Sequence, residues 1–279
     1  MIDLASLPAP AVVQTLTFEA VLADLRADLV RLYPPAQAVL ELESEPLNKL
    51  LEVAAYRELL FRERVNQAAL SNLVAFAQGS DLDHKGAFIG LARLPGEPDD
   101  RYRVRILLRI AAMAGNGTAE QYRELAMRTS LNVRAAAARS PVPGSVGIVL
   151  WLVDQSQAAA TQAAVTAALN AENARPLGVP VTVSIAQPKV IDVRARMWRE
   201  AGAPTDLVAQ VAAKLEAAFA SYAALGRSMP RSWLTARLHV AGIARVEYLG
   251  ADAPPENTEL QEHEYPVLGV CELLDQGLA

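Results

Sequence analysis

Few residues in this 279-residue chain have the type and spacing that chemistry requires. The three histidines, His84, His239 and His263, lie in unrelated segments, and no two stand at the i, i+4 spacing that lets one helix face grip zinc. Cys271 is the sole cysteine, which excludes an internal disulfide framework and fits a reducing compartment. Asp81-Leu82-Asp83-His84-Lys85-Gly86 begins like a calcium loop, but Lys85 falls where a further acidic ligand belongs and no bidentate acid closes it. It reads better as a polar turn at a helix end. Gly115-Asn116-Gly117-Thr118 could offer backbone amides to an anion. It lacks the lysine and preceding strand of a phosphate loop, so a turn with Thr118 as helix N-cap is preferred. Glu41, Glu43 and Glu45 precede a helix, where acids suit the positive dipole end. Nothing supplies the partner groups of a catalytic carboxylate pair. No serine, cysteine or lysine has a recognisable nucleophile context. The chain reads as a non-enzyme that uses no cofactor and no metal.

One charged set remains. Arg101, Arg105 and Arg109 stand at i, i+4, i+8, and so share one helical face. A phosphate-binding stripe would want interleaved aromatics and a basic chain, whereas net charge here is −5. A solvated or ion-paired face comes first and a docking face for an acidic partner second. Charge is also unevenly spread. Arg93 to Arg139 holds nine arginines and five acids, while beyond Arg245 there are eight acids and no lysine or arginine, which suggests complementary surfaces.

The elements that must position these residues are mostly helical at first. Apolar residues are 52% of the chain but aromatics only 5%, so the cores are expected to be alanine-rich and close-packed. Residues 1–17 form a Pro-punctuated arm without the basic start of a signal peptide. The stripe Phe18, Val21, Leu22, Leu25, Leu29 and Leu32 makes a helix capped by Thr17 and stopped by Tyr33-Pro34-Pro35. Leu94-Pro95-Gly96-Glu97-Pro98 is the clearest linker of the first half. A helix from Asp99 or Asp100 to Met113 and another from Thr118 to about Thr129 follow.

After Pro141-Val142-Pro143-Gly144 the pattern changes. Residues 146–153 read as a buried strand too short to span a bilayer, 155–170 as an Ala-rich helix, and 179–185 as an alternating strand. Beyond Pro188, Ile191, Val193, Ala195 and Met197 alternate with polar residues. Helices at about 205–225 and 232–240 and closing strands at 243–249 and 265–273 complete the chain. The fold class is α+β: a helical N-terminal region, then two small α+β units in tandem. The expected divisions are 1–94 (arm and long helix), 95–143 (helical middle), 144–187 and 188–279.

The most telling element starts near Ser44, a plausible N-cap, with Pro46 in the first turn where a missing N–H costs nothing. From there no breaker occurs until Gly79, implying a helix of about 33 residues and roughly 50 Å. Its apolar residues Leu47, Leu50, Leu51, Ala54, Leu59, Leu60 and Phe61 cover more than one narrow stripe, which suits burial among several helices better than a two-helix seam. Tyr56 and Arg57 are of the types enriched at binding hot spots. Leu42 and Arg64 flank the same surface.

Leu42-Glu43-Ser44-Glu45-Pro46-Leu47, Lys49-Leu50-Leu51-Glu52, Ala55-Tyr56-Arg57-Glu58-Leu59 and Arg64-Val65-Asn66-Gln67-Ala68 together resemble the baseplate J-like proteins of contractile phage tails and tail-like bacteriocins. The resemblance continues in order through Gly79-Ser80-Asp81-Leu82-Asp83, Asp99 to Ile106, Arg175-Pro176, Gly226-Arg227 and Leu238 to Val246, covering nearly the whole chain. It implies a structural wedge protein whose long helix joins a three-chain bundle, with two copies pairing with one copy of a different wedge protein. It further implies C-terminal contacts with neighbouring wedges that close a six-fold ring around the hub, near sheath-proximal proteins. Assembly would occur in the host bacterial cytoplasm, without nucleic acid or membrane as partners. A tail-associated cell-wall-degrading enzyme and a nucleic-acid-binding helical protein are the competing readings.

Overall fold

A computed structural model describes residues 8, 10–15, 17–40, 42, 45–113, 115–172, 174–250 and 253–279. The chain divides into two compact units, Met1–Ile106 and Leu107–Ala279.

The N-terminal unit is helical. Helix α1 (Phe18–Leu32) starts as the sequence requires, with the Thr17 hydroxyl accepting from Ala20 N–H. A short α2 (Ala36–Leu40) leads into α3 (Pro46–Ser71), the long helix. α3 has 26 residues, about 39 Å at 1.5 Å per residue, and ends well before Gly79. The reason is local competition for a carbonyl: the Ser71 hydroxyl and the Asn72 side-chain amide both donate to Ala68 O, at 3.1 and 2.9 Å. Pro46 occupies the first turn as expected, with Glu45 as N-cap; the cap proposed for Ser44, like the acids Glu41 and Glu43, lies outside the described residues.

Gly79 opens a second helix, α4 (Gly79–Phe88), so the segment read as a polar turn at 80–83 is helical. Its cap comes from far along the chain: Gly79 N–H donates to Asp99 Oδ2 at 2.9 Å. α5 (Asp99–Ala112) follows. Ala77, Leu82, Leu91, Tyr102 and Ile106 form a small core beneath these turns. Tyr102 lies across Gly86 and donates to Leu91 O at 2.6 Å. A Cβ at position 86 would overlap the Tyr102 hydroxyl and stand 2.7 Å from that same carbonyl, so only glycine fits.

The stretch 94–98, expected as a linker, is a tight turn closed by Glu97 N–H to Leu94 O and anchored by a buried carboxylate. Glu97 accepts from Leu94 N–H, Arg101 and Arg105, and its side chain is fully inaccessible. Arg103 holds the turn after α3 by donating to Val74 O and Ala77 O.

The C-terminal unit holds two α+β layers. α6 (Ala119–Thr129), capped by Thr118 as expected, precedes β1 (Val133–Arg139), β2 (Val146–Leu152), α7 (Ala158–Leu169) and β3 (Val181–Ile185). β1 and β2 are antiparallel; β2 and β3 are parallel across the α7 crossover. Leu108, Tyr122, Leu125, Ile148, Leu150, Val165 and Leu169 fill the core between the helices and this sheet. The sequence reading assigned no element to β1, Val-Arg-Ala-Ala-Ala-Ala-Arg, because alanine favours helix. Pairing with β2 overrides that preference, and Ala136 packs on one face while Ala135 and Ala137 pack on the other.

β4 (Gln187–Arg199) continues from β3 after a single residue and centres a second sheet, ordered β6-β4-β8. α8 (Leu207–Tyr222), the short β5 (Met229–Pro230), α9 (Arg231–Leu238), β6 (Ile243–Tyr248), β7 (Asn257–Thr258) and β8 (Glu264–Leu278) complete it. The expected alternation holds in β4: Ile191, Val193, Ala195 and Met197 are buried against Val211, Leu215 and Phe219 of α8 and Leu234 and Leu238 of α9. β8 runs parallel to β4 along a free edge, and Gly269 and Val270 bulge opposite Asp192, whose carboxylate accepts from Val270 N–H at 2.8 Å. No helix among the described residues is long and apolar enough to cross a membrane.

Candidate assembly interface

Helix α3 is built inside out. The residues on its covered side are largely polar or small: Asn48 at 2% exposure, Ala55 at 0% and Asn66 at 7%, with Leu51, Leu59 and Arg62 half-buried beside them. The side facing water carries Leu50 at 67%, Phe61 at 70%, and Val53, Tyr56, Leu60 and Val65. At 100° per residue these exposed apolar positions span about half the helix circumference.

The covered side is held by amides that copy backbone pairing. Asn48 Nδ2 donates to Leu40 O at 3.0 Å and Leu42 O at 2.8 Å, and its Oδ1 accepts from Arg26. Asn66 receives Gln14 N–H at 3.1 Å and returns a bond to Gln14 O at 2.9 Å. Arg62 pairs with Glu58 on the same helix. α3 therefore docks on its own unit through hydrogen bonds and leaves its large apolar side chains outward.

The expected interface residues divide accordingly. Leu42, Leu50, Ala54, Tyr56, Arg57, Phe61 and Arg64 are exposed; Leu47, Leu51 and Leu59 are half-buried, the last two towards the covered side. Two arginines of the α5 face are ion-paired, as the first of the two readings expects. Arg105 is buried, paired with Glu97 and stacked near Tyr102, because the carboxylate beneath it compensates its charge. Arg101 shares that carboxylate, and Arg109 is half-buried, so the three do not form one open face. Val53 and Val65 belong to the exposed surface and were missed. Their signal was present in the spacing, Val53 standing three residues after Leu50 and Val65 four after Phe61.

At its C-terminal end the exposed side of α3 runs into a cleft of about 620 Å³ lined by Arg64, Gln67, Ala68, Ser71, Phe76 and Asp81. A separate cleft of about 480 Å³ lies in the C-terminal unit. There Arg134 lies over Trp151 at 4.1 Å, Trp151 stacks on Tyr265 at 4.6 Å, and Arg134 donates to Ala220 O at 3.2 Å. Glu216 at its rim and burial together push the Cys271 thiol up, burial contributing more. Sequence reasoning missed this cleft because its walls come from four separate elements, β1, β2, α8 and β8. Each cleft carries a single carboxylate.

Residues 43–100, which span α3, α4 and the start of α5, match the Baseplate J-like N-terminal domain model. The chain is 36% identical over 270 residues to Baseplate protein J of Escherichia phage P2, covering 88% of this chain and 89% of that protein. The chain belongs to the baseplate J-like family. It is also similar to a chain in the cryo-EM structure of the anti-feeding prophage (AFP) baseplate, 6-fold symmetrised. That likeness has a TM-score of 0.42 and 16% identity, and covers 64% of this chain and 43% of that one.

Proposed function

We propose that this chain is a structural wedge subunit of the baseplate of a contractile tail or tail-like particle, without catalytic function. It pairs with a second copy of itself and joins a different wedge protein in a helical bundle. Its C-terminal units meet neighbouring wedges, closing a six-fold ring around the hub and beneath the sheath. It is assembled in the bacterial cytoplasm and carried on the released particle, and neither nucleic acid nor membrane is a partner. The observation that carries this reading is the inverted α3, a helix whose large apolar side chains face outward. Exposed apolar surface on this scale is costly in water and is retained where a partner covers it. Family membership, and the name of the phage P2 relative, set the assembly in which that partner is sought.

The test is co-expression with the adjacent baseplate protein, followed by size exclusion with light scattering. Leu50→Asp and Phe61→Asp are expected to abolish the complex and leave the circular dichroism of the chain unchanged. A complex that forms normally with both variants would overturn the reading. Peptidoglycan zymography addresses the hydrolase alternative, and cleared zones would favour it.

A further inference from the structure

Four cations lie on α3, and the helix treats them in two ways. Lys49, between Tyr56 and Leu60 on the exposed side, pairs with Glu52 at 3.0 Å, and Arg62, off that side, pairs with Glu58. Arg57 and Arg64 stand within the exposed apolar surface and pair with no carboxylate among the described residues. Their helical neighbours three and four positions away are Val53, Ala54, Leu60 and Phe61 for Arg57, and Leu60, Phe61, Gln67 and Ala68 for Arg64. No acid of the helix can reach either one by the usual spacing. The two arginines are seven residues apart, one heptad, so they recur at the same level of any helix laid alongside.

We infer that Arg57 and Arg64 specify the partner on this surface as an amphipathic helix of another protein, with carboxylates one heptad apart inside its apolar stripe. The inference rests on the bundle reading above and names the chemistry of the third helix. A second copy of α3 cannot fill that role alone. In parallel register it sets Arg57 against Arg57 and Arg64 against Arg64, and in antiparallel register about the same stretch it sets Arg57 against Arg64. Like charges brought together on an apolar seam are repelled and desolvated at once. Two copies therefore bring four guanidiniums to the bundle, and an acidic third helix neutralises them. The cleft at Arg64, with Phe76 and Asp81 on its walls, receives the end of that helix.

The probes are two synthetic amphipathic peptides of about four heptads, identical except for a pair of Glu or a pair of Lys seven residues apart. Binding to the full chain is read by fluorescence anisotropy. The Glu peptide is expected to bind at least about tenfold more tightly than the Lys peptide, and Arg57→Glu/Arg64→Glu is expected to reverse the order. Arg57→Lys/Arg64→Lys keeps the preference for Glu. Both residues are exposed and outside the ion pairs of the helix, so the variants fold, which circular dichroism checks. Equal binding of the two peptides overturns the charge rule and leaves helix docking standing. Binding of neither overturns both. Self-association of the chain alone that excludes the Glu peptide makes a second copy the occupant and overturns the assignment.

Discussion

Asn66 grips Gln14 in both directions, accepting its N–H at 3.1 Å and donating to its carbonyl at 2.9 Å across 52 residues of chain. One side chain thereby does what a neighbouring strand would do, and fixes the N-terminal arm against the covered side of α3. Asn48 does the same for the carbonyls of Leu40 and Leu42 near the other end of the helix. These two amides explain why the fully buried residues on the inner side of α3 are polar or small, with Leu51 and Leu59 half-buried beside them.

Asn66→Ala is expected to free the arm and cost about 1–2 kcal/mol, since two half-buried backbone groups lose their partner. Limited proteolysis within residues 10–17 should accelerate while the helical signal persists. An unchanged cleavage rate would show that the amide does not hold the arm.

Among the described residues Glu97 is the only countercharge that Arg105 contacts in its buried setting, and it also binds Arg101. Glu97→Ala is expected to cost about 3–5 kcal/mol in urea unfolding, because a guanidinium is left buried and unpaired. Glu97→Ala/Arg105→Met should recover part of that loss. A double variant no more stable than the single one would locate the cost elsewhere.

Gly86→Ala is expected to destabilise the N-terminal unit by about 1–3 kcal/mol, as Tyr102 and the Leu91 carbonyl must move apart. Tyr102→Phe removes the nearest atom and should rescue Gly86→Ala in part, read as the unfolding midpoint. Full tolerance of Gly86→Ala on its own would contradict the packing of Tyr102 over this helix.

Acid should loosen the start of α4. The Gly79 N–H, and then Arg93, hold the Asp99 carboxyl below its ordinary value of 3.8. A carboxyl whose pKa is depressed by folding adds stability that is complete above 3.8 and fades as pH falls through the lower folded value. Asp99→Asn should therefore flatten the loss of stability below about pH 4, measured as urea midpoints across an acid series. Parallel curves for the two proteins would remove Asp99 as the acid-sensitive group.

Much of the fold is legible in the residues. Thr17 and Thr118 cap their helices where the hydroxyls fall one step before an apolar stripe, and Ile191 to Met197 alternate because a half-buried strand has period two. β1 is not legible, since four alanines carry no strand preference and only pairing with β2 sets them. The start of α4 is not legible either, because its cap, Asp99, lies 20 residues away. At the interface, Leu50, Tyr56 and Phe61 could be singled out by type, whereas Arg105 could not be told from Arg57. Both are arginines on helices, and only Glu97 folding beneath one of them separates the two.

By itself the sequence determined most of the helix-forming stretches, the alternation of β4, the absence of a disulfide framework and the wide apolar surface of the long helix, all of which follow from local periodicity and residue type. Only the tertiary structure decided which side of that helix is covered. Periodicity reports that two sides differ, but it assumes the apolar one turns inward. Asn48 and Asn66 reverse that assumption, because backbone groups brought from distant segments satisfy their amides and leave Leu50, Leu60 and Phe61 facing out.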